Sequence, residues 1–590
     1  MILASLRDLA LREELVSEPA FEGKGVAWII NIDDGGRFLN LVSTLADPVS
    51  DGKGRKQRPQ PQLMSIPRRC GRSSNLEADF LVDKSEYVLG IVPEGKIPSK
   101  RADKSEKCRL LFLKLITKAA EETGSKLLRS AVAFLRSEEQ RVACAAELNR
   151  NKWASNDLFA IACNLELLHH DPEIRQWWTV QANESPNPEA TLRQCVVCGA
   201  QCVPVENHDS LRIPGGVTSG VPLVSFNAAA FEKYGFSGNE NAPVCRPCMT
   251  AYVEGLRRCL NERYANPHDA SEMMGQQAVR LSPDTTAVFW TDEPWSLASQ
   301  LTWILNQPAD LKAALLSPKT GKSAEKLEGN FYCMILSGAQ GRAMLRSVHT
   351  GTVAEVEDSL AKYFNALELD GVDSDRPMPL FWLLKSLAPL EKLDRLPPKL
   401  PGEVFLAAVL GLPIPRLILS AAVTRNRAEQ AVTPARAALL QLYFSQINPE
   451  VPRMSLNTEF HDAGYLLGRL FAVLERIQSL ANPGVNSTIV DRFYGAASTR
   501  PGTVFPQLLR LSQAHLAKVP ANRNPDWYRK LTGEIMDGFP AQFEPTLDIA
   551  QQGRFALGYY HQRQAFFRKA PTPQSAQADP TQVLNEGDTQ

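Results

Sequence analysis

Two short pairs, Cys195-Val-Val-Cys198 and Cys245-Arg-Pro-Cys248, constrain this chain more than any other feature it carries. Each pair can deliver two thiolates from one tight turn, and four thiolates close a tetrahedral site with no position left for water or substrate. That is the ligand set of a structural zinc, so Cys195, Cys198, Cys245 and Cys248 are the expected metal ligands. Such a site organises a fold and performs no hydrolysis, because catalytic zinc keeps an exchangeable ligand. The other seven of the eleven cysteines stand singly, which fits reduced thiols rather than a disulfide framework.

At 590 residues the chain is too long for one core and predicts several packed units. Lysine plus arginine equals aspartate plus glutamate, 65 each, so net charge names no partner and only local clustering can. The opening Met1-Ile-Leu-Ala-Ser-Leu-Arg7 lacks the apolar core of a signal peptide. The most apolar long stretch, Val404 to Val423, is broken by Pro413, Pro415 and Arg416, so no membrane span is expected. The chain reads as soluble and cytoplasmic.

Leu3, Leu6, Leu9, Leu11 and Leu15 predict a one-sided helix at the start. Val26–Ile32 and Phe38–Val42, joined by Asp33-Asp-Gly-Gly36, predict a hairpin, and Asp79–Val82 with Tyr87–Ile91 predict another. Helices are expected from Leu110 to about residue 170, and again over Ala251–Tyr264. Thr286–Trp290 and Phe331–Leu336 read as buried strands. From Val353 to Ala570 the pattern is helical with proline breaks. Leu466, Leu470, Val473, Leu474 and Ile477 share one helical face, as do Val504, Leu508, Leu511 and Leu516. A bundle is expected there, with cations from Arg469 to Lys569 on its outward faces. The tail 571–590 is polar and proline-bearing and predicts disorder.

The expected fold is therefore mixed α/β (α+β) and multidomain, with a zinc-binding insertion and a C-terminal helical bundle. Its expected boundaries are 1–108 (α/β with a basic loop), 109–194 (helical), 195–248 (four-cysteine segment), 249–375 (α/β), 376–453 (helical connector), 454–570 (bundle) and 571–590 (tail).

Between Gly52 and Leu76 stand Lys53, Arg55, Lys56, Arg58, Arg68, Arg69 and Arg72 without one acid. These cations repel one another unless a polyanion or an acidic neighbour lies opposite. The run ends in Gly71-Arg-Ser-Ser-Asn75, where slim Ser74 and Asn75 suit a minor groove and the arginines suit phosphates. A solvated linker is the plain alternative. Lys312, Lys319, Lys322 and Lys326 recur on an expected loop, and Ser337-Gly-Ala-Gln340-Gly-Arg342 offers an amide and a cation between glycines that permit close approach. For the latter the alternative is an ordinary turn.

No phosphate loop, nucleophile elbow or two-metal nuclease set is present. His169-His170-Asp171 lacks ligand spacing, Trp177-Trp178 reads as core, and His461-Asp462 is explained by Asp462 as a helix cap. The chemistry leaves two classes open: a non-catalytic recognition subunit, or a stand-alone zinc-dependent nuclease or hydrolase.

Val224-Ser-Phe-Asn-Ala-Ala-Ala-Phe-Glu-Lys-Tyr-Gly235 with Asn241-Ala-Pro-Val244, Glu86-Tyr-Val-Leu-Gly90, Arg492-Phe-Tyr-Gly-Ala-Ala-Ser498 and Gln552-Gly-Arg-Phe-Ala-Leu-Gly-Tyr-Tyr-His-Gln-Arg-Gln-Ala-Phe-Phe567 resemble the large subunit of type I-C CRISPR effector complexes. The likeness spans nearly the whole chain and is strongest at the C-terminal end. It implies a non-catalytic subunit of a crRNA-guided complex that grips target double-stranded DNA at the protospacer-adjacent motif, promotes R-loop formation and supports recruitment of the helicase-nuclease. It implies backbone and crRNA-processing subunits as partners, and motif reading by Ser74 and Asn75. It also implies a small subunit translated from an internal start, for which Met454 has the position. Zinc is not guaranteed by the resemblance and rests on the cysteines.

Overall fold

A computed structural model describes residues 2–16, 18, 20–45, 61–69, 76–92, 100–183, 191–218, 220–226, 228–261, 264–265, 273–295, 297–298, 300–316, 329–339, 341–540 and 542–567. It combines helices with several small sheets, and its C-terminal region is helical. The chain divides into two compact units: residues 1–278, 288–292 and 332–349, and residues 279–287, 293–331 and 350–590.

The first unit begins with α1 (Ile2–Arg12) and the strands β1 (Phe21–Val26), β2 (Trp28–Ile32), β3 (Phe38–Ser43), β4 (Gln62–Pro67) and β5 (Val82–Lys84). Then come α2 (Ser85–Val88), α3 (Lys100–Thr123), α4 (Lys126–Arg136), α5 (Glu138–Leu148), β6 (Leu158–Cys163), β7 (Glu166–Leu167) and α6 (Pro172–Asn183). β2 and β3 form the predicted hairpin, with the Asp33 carboxylate accepting from the backbone N–H groups of Gly35 and Arg37. β6 runs parallel to β2 and antiparallel to β5. Phe112, Ile116, Leu128, Phe134 and Leu135 from the helices bury against this sheet.

Three local expectations change here. Leu158–Cys163 lies where helix was expected, because six successive apolar residues read alike in a buried strand and a buried helix. Asp79–Ile91 is not a hairpin: Ser85–Val88 turns helically, and Ser85 Oγ donates to Ile91 O at 3.0 Å. Gln62–Pro67, inside the expected basic loop, is a strand paired with β1, its Met64 and Ile66 buried and its Leu63 and Ser65 exposed. Trp177 and Trp178 pack as core, with Phe80 4.8 Å from Trp178.

A second core in the same unit holds the four-cysteine segment. Its short strands are β8 (Arg193–Gln194), β9 (Gln201–Cys202), β10 (Ser210–Leu211) and β11 (Val221–Pro222), followed by α7 (Arg246–Leu260), β12 (Tyr264–Ala265) and β13 (Met273–Met274). β14 (Ala278–Arg280), β15 (Thr285–Thr291), β16 (Asn330–Ala339) and β17 (Arg342–Thr352) follow as a sheet in chain order. Leu6 and Leu9 of α1 share this core with Cys195, Cys248, Met249, Tyr252, Leu256, Trp290 and Leu336. α1 and α7 touch backbone to backbone: a Cβ on Gly255 would lie 2.4 Å from Leu6 O. The segment is thus anchored by the N-terminal helix, which sequence pattern does not reveal.

The second unit carries α8 (Pro308–Leu316), α9 (Val353–Ala366), α10 (Leu380–Leu387), α11 (Leu400–Leu410), α12 (Leu417–Glu429), α13 (Pro434–Ile447), α14 (Ala463–Ala481), α15 (Ile489–Ala497), α16 (Pro501–Leu516), α17 (Pro525–Asp537) and α18 (Ile549–Ala565). Asp462 caps α14, accepting from Tyr465 N at 3.0 Å, as its position predicts. α14 and α18 cross closely: Cβ atoms on Gly468 and Gly558 would stand 2.0 Å from Phe555 O and 2.1 Å from Tyr465 O. A Cβ on Gly553 would meet Leu419 and Phe444, so α18 also packs on α12 and α13. Arg469, expected on an outward face, is buried and donates to Gln562 Oε1 at 3.2 Å. α14 is covered on most sides, and a cation inside it must be hydrogen-bonded. Arg568, Lys569 and the tail 571–590 lie outside the described residues.

Candidate metal centre and nucleic-acid surface

Both cysteine pairs sit in turns that present sulfur. β8 and β9 pair Arg193 with Cys202, and the turn between them is closed by Cys195 N donating to Ala200 O at 2.8 Å and Gly199 N to Cys195 O at 2.8 Å. Gly199 has φ +79°, which a side chain would strain. Cys245 is the residue just before α7 and Cys248 lies in its first turn, which Pro247 helps to start. Val196 N donates to Pro243 O at 2.9 Å and binds one turn to the other.

The four sulfurs lie within 4.8 Å of one another. A tetrahedral metal with bonds of about 2.3 Å needs sulfurs about 3.8 Å apart. Cys198 Sγ and Cys245 Sγ are 3.8 Å apart. Cys195 and Cys248 are buried, Cys245 is partly exposed and Cys198 is exposed. Burial disfavours ionisation at Cys195, but backbone N–H groups of Cys245, Cys198 and Val197 outweigh it and bring that thiol down to about 7. Burial, with neighbouring sulfurs, pushes Cys245 up to about 11 and raises Cys248 too. Sulfurs this close resist sharing negative charge, and a cation among them removes the conflict. The donor set therefore fits a metal ion, closed by four protein ligands. Among the described residues, no other group of three or more potential ligands converges this way. Asp171, beside the two histidines, instead caps α6, accepting from Ile174 N at 3.0 Å.

The expected DNA-contacting residues divide. Lys53, Arg55, Lys56, Arg58, Arg72, Ser74, Asn75, Lys319, Lys322 and Gln340 lie outside the described residues. Arg68 is buried and forms an ion pair with Asp209 at 3.0 Å, while its other nitrogen donates to Phe21 O at 3.0 Å. Arg69 pairs with the fully buried Asp79 carboxylate at 2.8 Å. Both arginines are thus ion-paired with carboxylates of the protein. Lys312 is on α8, not a loop, and pairs with Glu368 at 3.0 Å. Arg342 is exposed, its guanidinium carbon 5.8 Å from the Phe231 ring centre. Four residues before it, Gly338 closely approaches backbone: a Cβ there would lie 2.2 Å from Gly216 N.

The family model described as CRISPR-associated protein (Cas_Csd1) matches residues 5–567. The chain belongs to the Cas_Csd1 family. No curated protein matches it. Cas_Csd1 membership indicates the large subunit of a type I CRISPR system, working in a multi-subunit effector complex. In this Cas_Csd1 chain, no described helix is long and apolar enough to cross a membrane.

Sequence reasoning missed Asp209, which lies 141 residues from its partner Arg68. It also missed Arg7, which donates to Val197 O at 3.3 Å and is raised in pKa by Asp8 and, less strongly, by Cys248. No local signal marks either. The glycines of α14 did leave one, since Gly464 and Gly468 repeat at the spacing that lets helices approach.

Proposed function

We propose that this chain is the non-catalytic large subunit of a type I-C effector complex. It recognises a short protospacer-adjacent motif in duplex DNA, promotes R-loop formation and supports helicase-nuclease recruitment. Pairing with the crRNA reads the target, while the protein reads a short flank and the phosphate backbone, a division known in another RNA-guided class. Backbone and crRNA-processing subunits are its partners, with a small subunit drawn from an internal start at Met454. The metal is zinc in a structural role, since four sulfur donors in a tetrahedron suit it and leave no coordination position for water.

The observation that carries this reading is the family match from residue 5 to residue 567. The arginine pairing refines it. Arg68 and Arg69 hold the end of β4 against the unit, so phosphate contact falls to Lys53, Arg55, Lys56, Arg58 and Arg72, and motif reading to Ser74 and Asn75. The test is target binding by the complex assembled on its guide. Arg72→Ala combined with alanines at 53, 55, 56 and 58 weakens binding to all duplexes and flattens the salt dependence. Ser74→Ala with Asn75→Ala mainly lowers preference for the correct flank. Unchanged binding at every salt concentration, or DNA cleavage by the purified chain with a divalent metal, overturns the reading.

A further inference from the structure

The segment between the two cysteine pairs holds an aromatic ring out in water on a well-tied loop. Tyr234 is 93% exposed and its backbone is left-handed, φ +56°, a conformation a bulky residue rarely adopts. The loop around it is built, not frayed. Lys233 N donates to Asn241 Oδ1 at 2.9 Å, the Asn241 amide donates to Phe236 O and Gly238 O, and Gly238 N donates to Glu232 Oε1 at 3.0 Å. Ser237 and Glu240 form a capping box, and buried Asn239 donates to Val205 O and Glu206 O. Three residues before Tyr234, Phe231 is 42% exposed with Arg342 at its ring.

The carboxylates beside the rings already have partners. Glu232 accepts from Gly238 N, and Glu240 is taken up by Ser237 N and Arg193. Lys233 and Arg342 have no carboxylate partner among the described residues. Exposed rings flanked by bare cations are what proteins use to hold unpaired bases, because every base has a stacking face and every link a phosphate. A paired duplex hides those faces between its neighbouring bases.

We infer that Tyr234 and Phe231, with Lys233 and Arg342, form a stacking site for unpaired bases of single-stranded nucleic acid. The inference rests on the reading of the chain as a nucleic-acid-binding subunit, and adds a site to it. The exposed ring supplies the stacking face, and the two cations hold the adjoining phosphates.

The test is fluorescence anisotropy of the purified full-length protein with a labelled oligo-dT strand and with a fully paired duplex, at two salt concentrations. The parent binds the strand. Tyr234→Ala weakens strand binding about tenfold, Tyr234→Phe keeps it, and duplex binding is the same in all three. Tyr234→Gly loses strand affinity like the alanine variant but is at least as thermally stable as the parent, since glycine accepts the left-handed backbone. Arg342→Ala flattens the salt dependence. A parent that does not bind the strand, Tyr234→Ala and Tyr234→Gly variants that bind like the parent, or a Tyr234→Phe variant that loses binding overturns the stacking site. Guide-dependent duplex binding by the assembled complex separates the two claims. If it persists while strand affinity ignores Tyr234, only the stacking site falls; if the parent complex lacks it, the functional reading falls.

Discussion

Arg68 Nη1 stands 3.0 Å from Asp209 Oδ2, tying the end of β4 to the loop between β9 and β10 in the four-cysteine segment. The arginine side chain is 5% exposed, so its charge cannot fall back on water. Removing one member of such a pair strands the other: Asp209→Asn or Arg68→Ala is expected to cost about 3 kcal/mol of stability. Urea unfolding of the full chain measures this. A loss below about 1 kcal/mol would put the pair in the class of surface bridges and return Arg68 to the phosphate-binding set.

Metal content is the second test. We expect one zinc per chain, with Cys195→Ser and Cys245→Ser losing it and becoming poorly soluble, because binding free energy at such a site is folding free energy. Since Leu6, Leu9 and Leu256 share that core, chelation should also expose α1 and α7 to proteolysis. Native protein without zinc, and serine variants as stable as the parent, would sink the assignment.

Stability should fall in mild acid through His208. Burial lowers its pKa to about 4, Asp209 opposing weakly, and its Nδ1 is engaged by Tyr252 Oη. The unfolded chain titrates near 6.5, so between pH 6.5 and 4 it binds a proton that the folded chain refuses. The contribution of His208 is therefore full above about pH 6.5, and on the order of 3 kcal/mol of it is lost toward pH 4. His169, lowered to about 3 by burial and by His170, adds in the same direction. Denaturation midpoints across this range should flatten in a His208→Gln variant; an equal slope in the variant would assign the effect elsewhere.

The crossing of α14 and α18 leaves no room at Gly468, where a Cβ would lie 2.0 Å from Phe555 O and 2.7 Å from Tyr559 N. Backbone cannot rotate aside as a side chain can. Gly468→Ala should lower stability by about 3 kcal/mol or more, against about 1 kcal/mol gained at an uncrowded helical site such as Gly533. Comparing the two variants by thermal unfolding decides it, and equal effects would refute the close crossing.

An internal start at Met454 would release a chain beginning at an exposed residue whose N–H donates to Gln441 Oε1 at 2.8 Å. That fragment would lack Leu419 and Phe444, which cover Gly553 of α18. Mass spectrometry of species co-purifying from the intact gene should find a product starting at Met454, stable only in the assembled complex. Its absence, with Met454→Leu leaving composition and DNA binding untouched, would end the proposal.

Chemistry contained within one turn or one periodic helix was readable in advance. The two Cys-x-x-Cys turns, the β2–β3 hairpin, the Asp462 cap and the apolar face of α14 depend on residues a few positions apart, and spacing suffices to find them. The motifs at 224–244 and 552–567 likewise carried the family. Leu158–Cys163 is an unbroken apolar run with no period, and only its place between β2 and β5 makes it a strand. Which cations are spare was a tertiary matter as well. Arg68, Lys312 and Arg469 look free in the sequence, but Asp209, Glu368 and Gln562 meet them only after distant segments fold together, and Arg69 is met by Asp79 across a chain turn of ten residues. A cation is available to a ligand when no nearer acceptor engages it, and distance in space is what linear order does not contain.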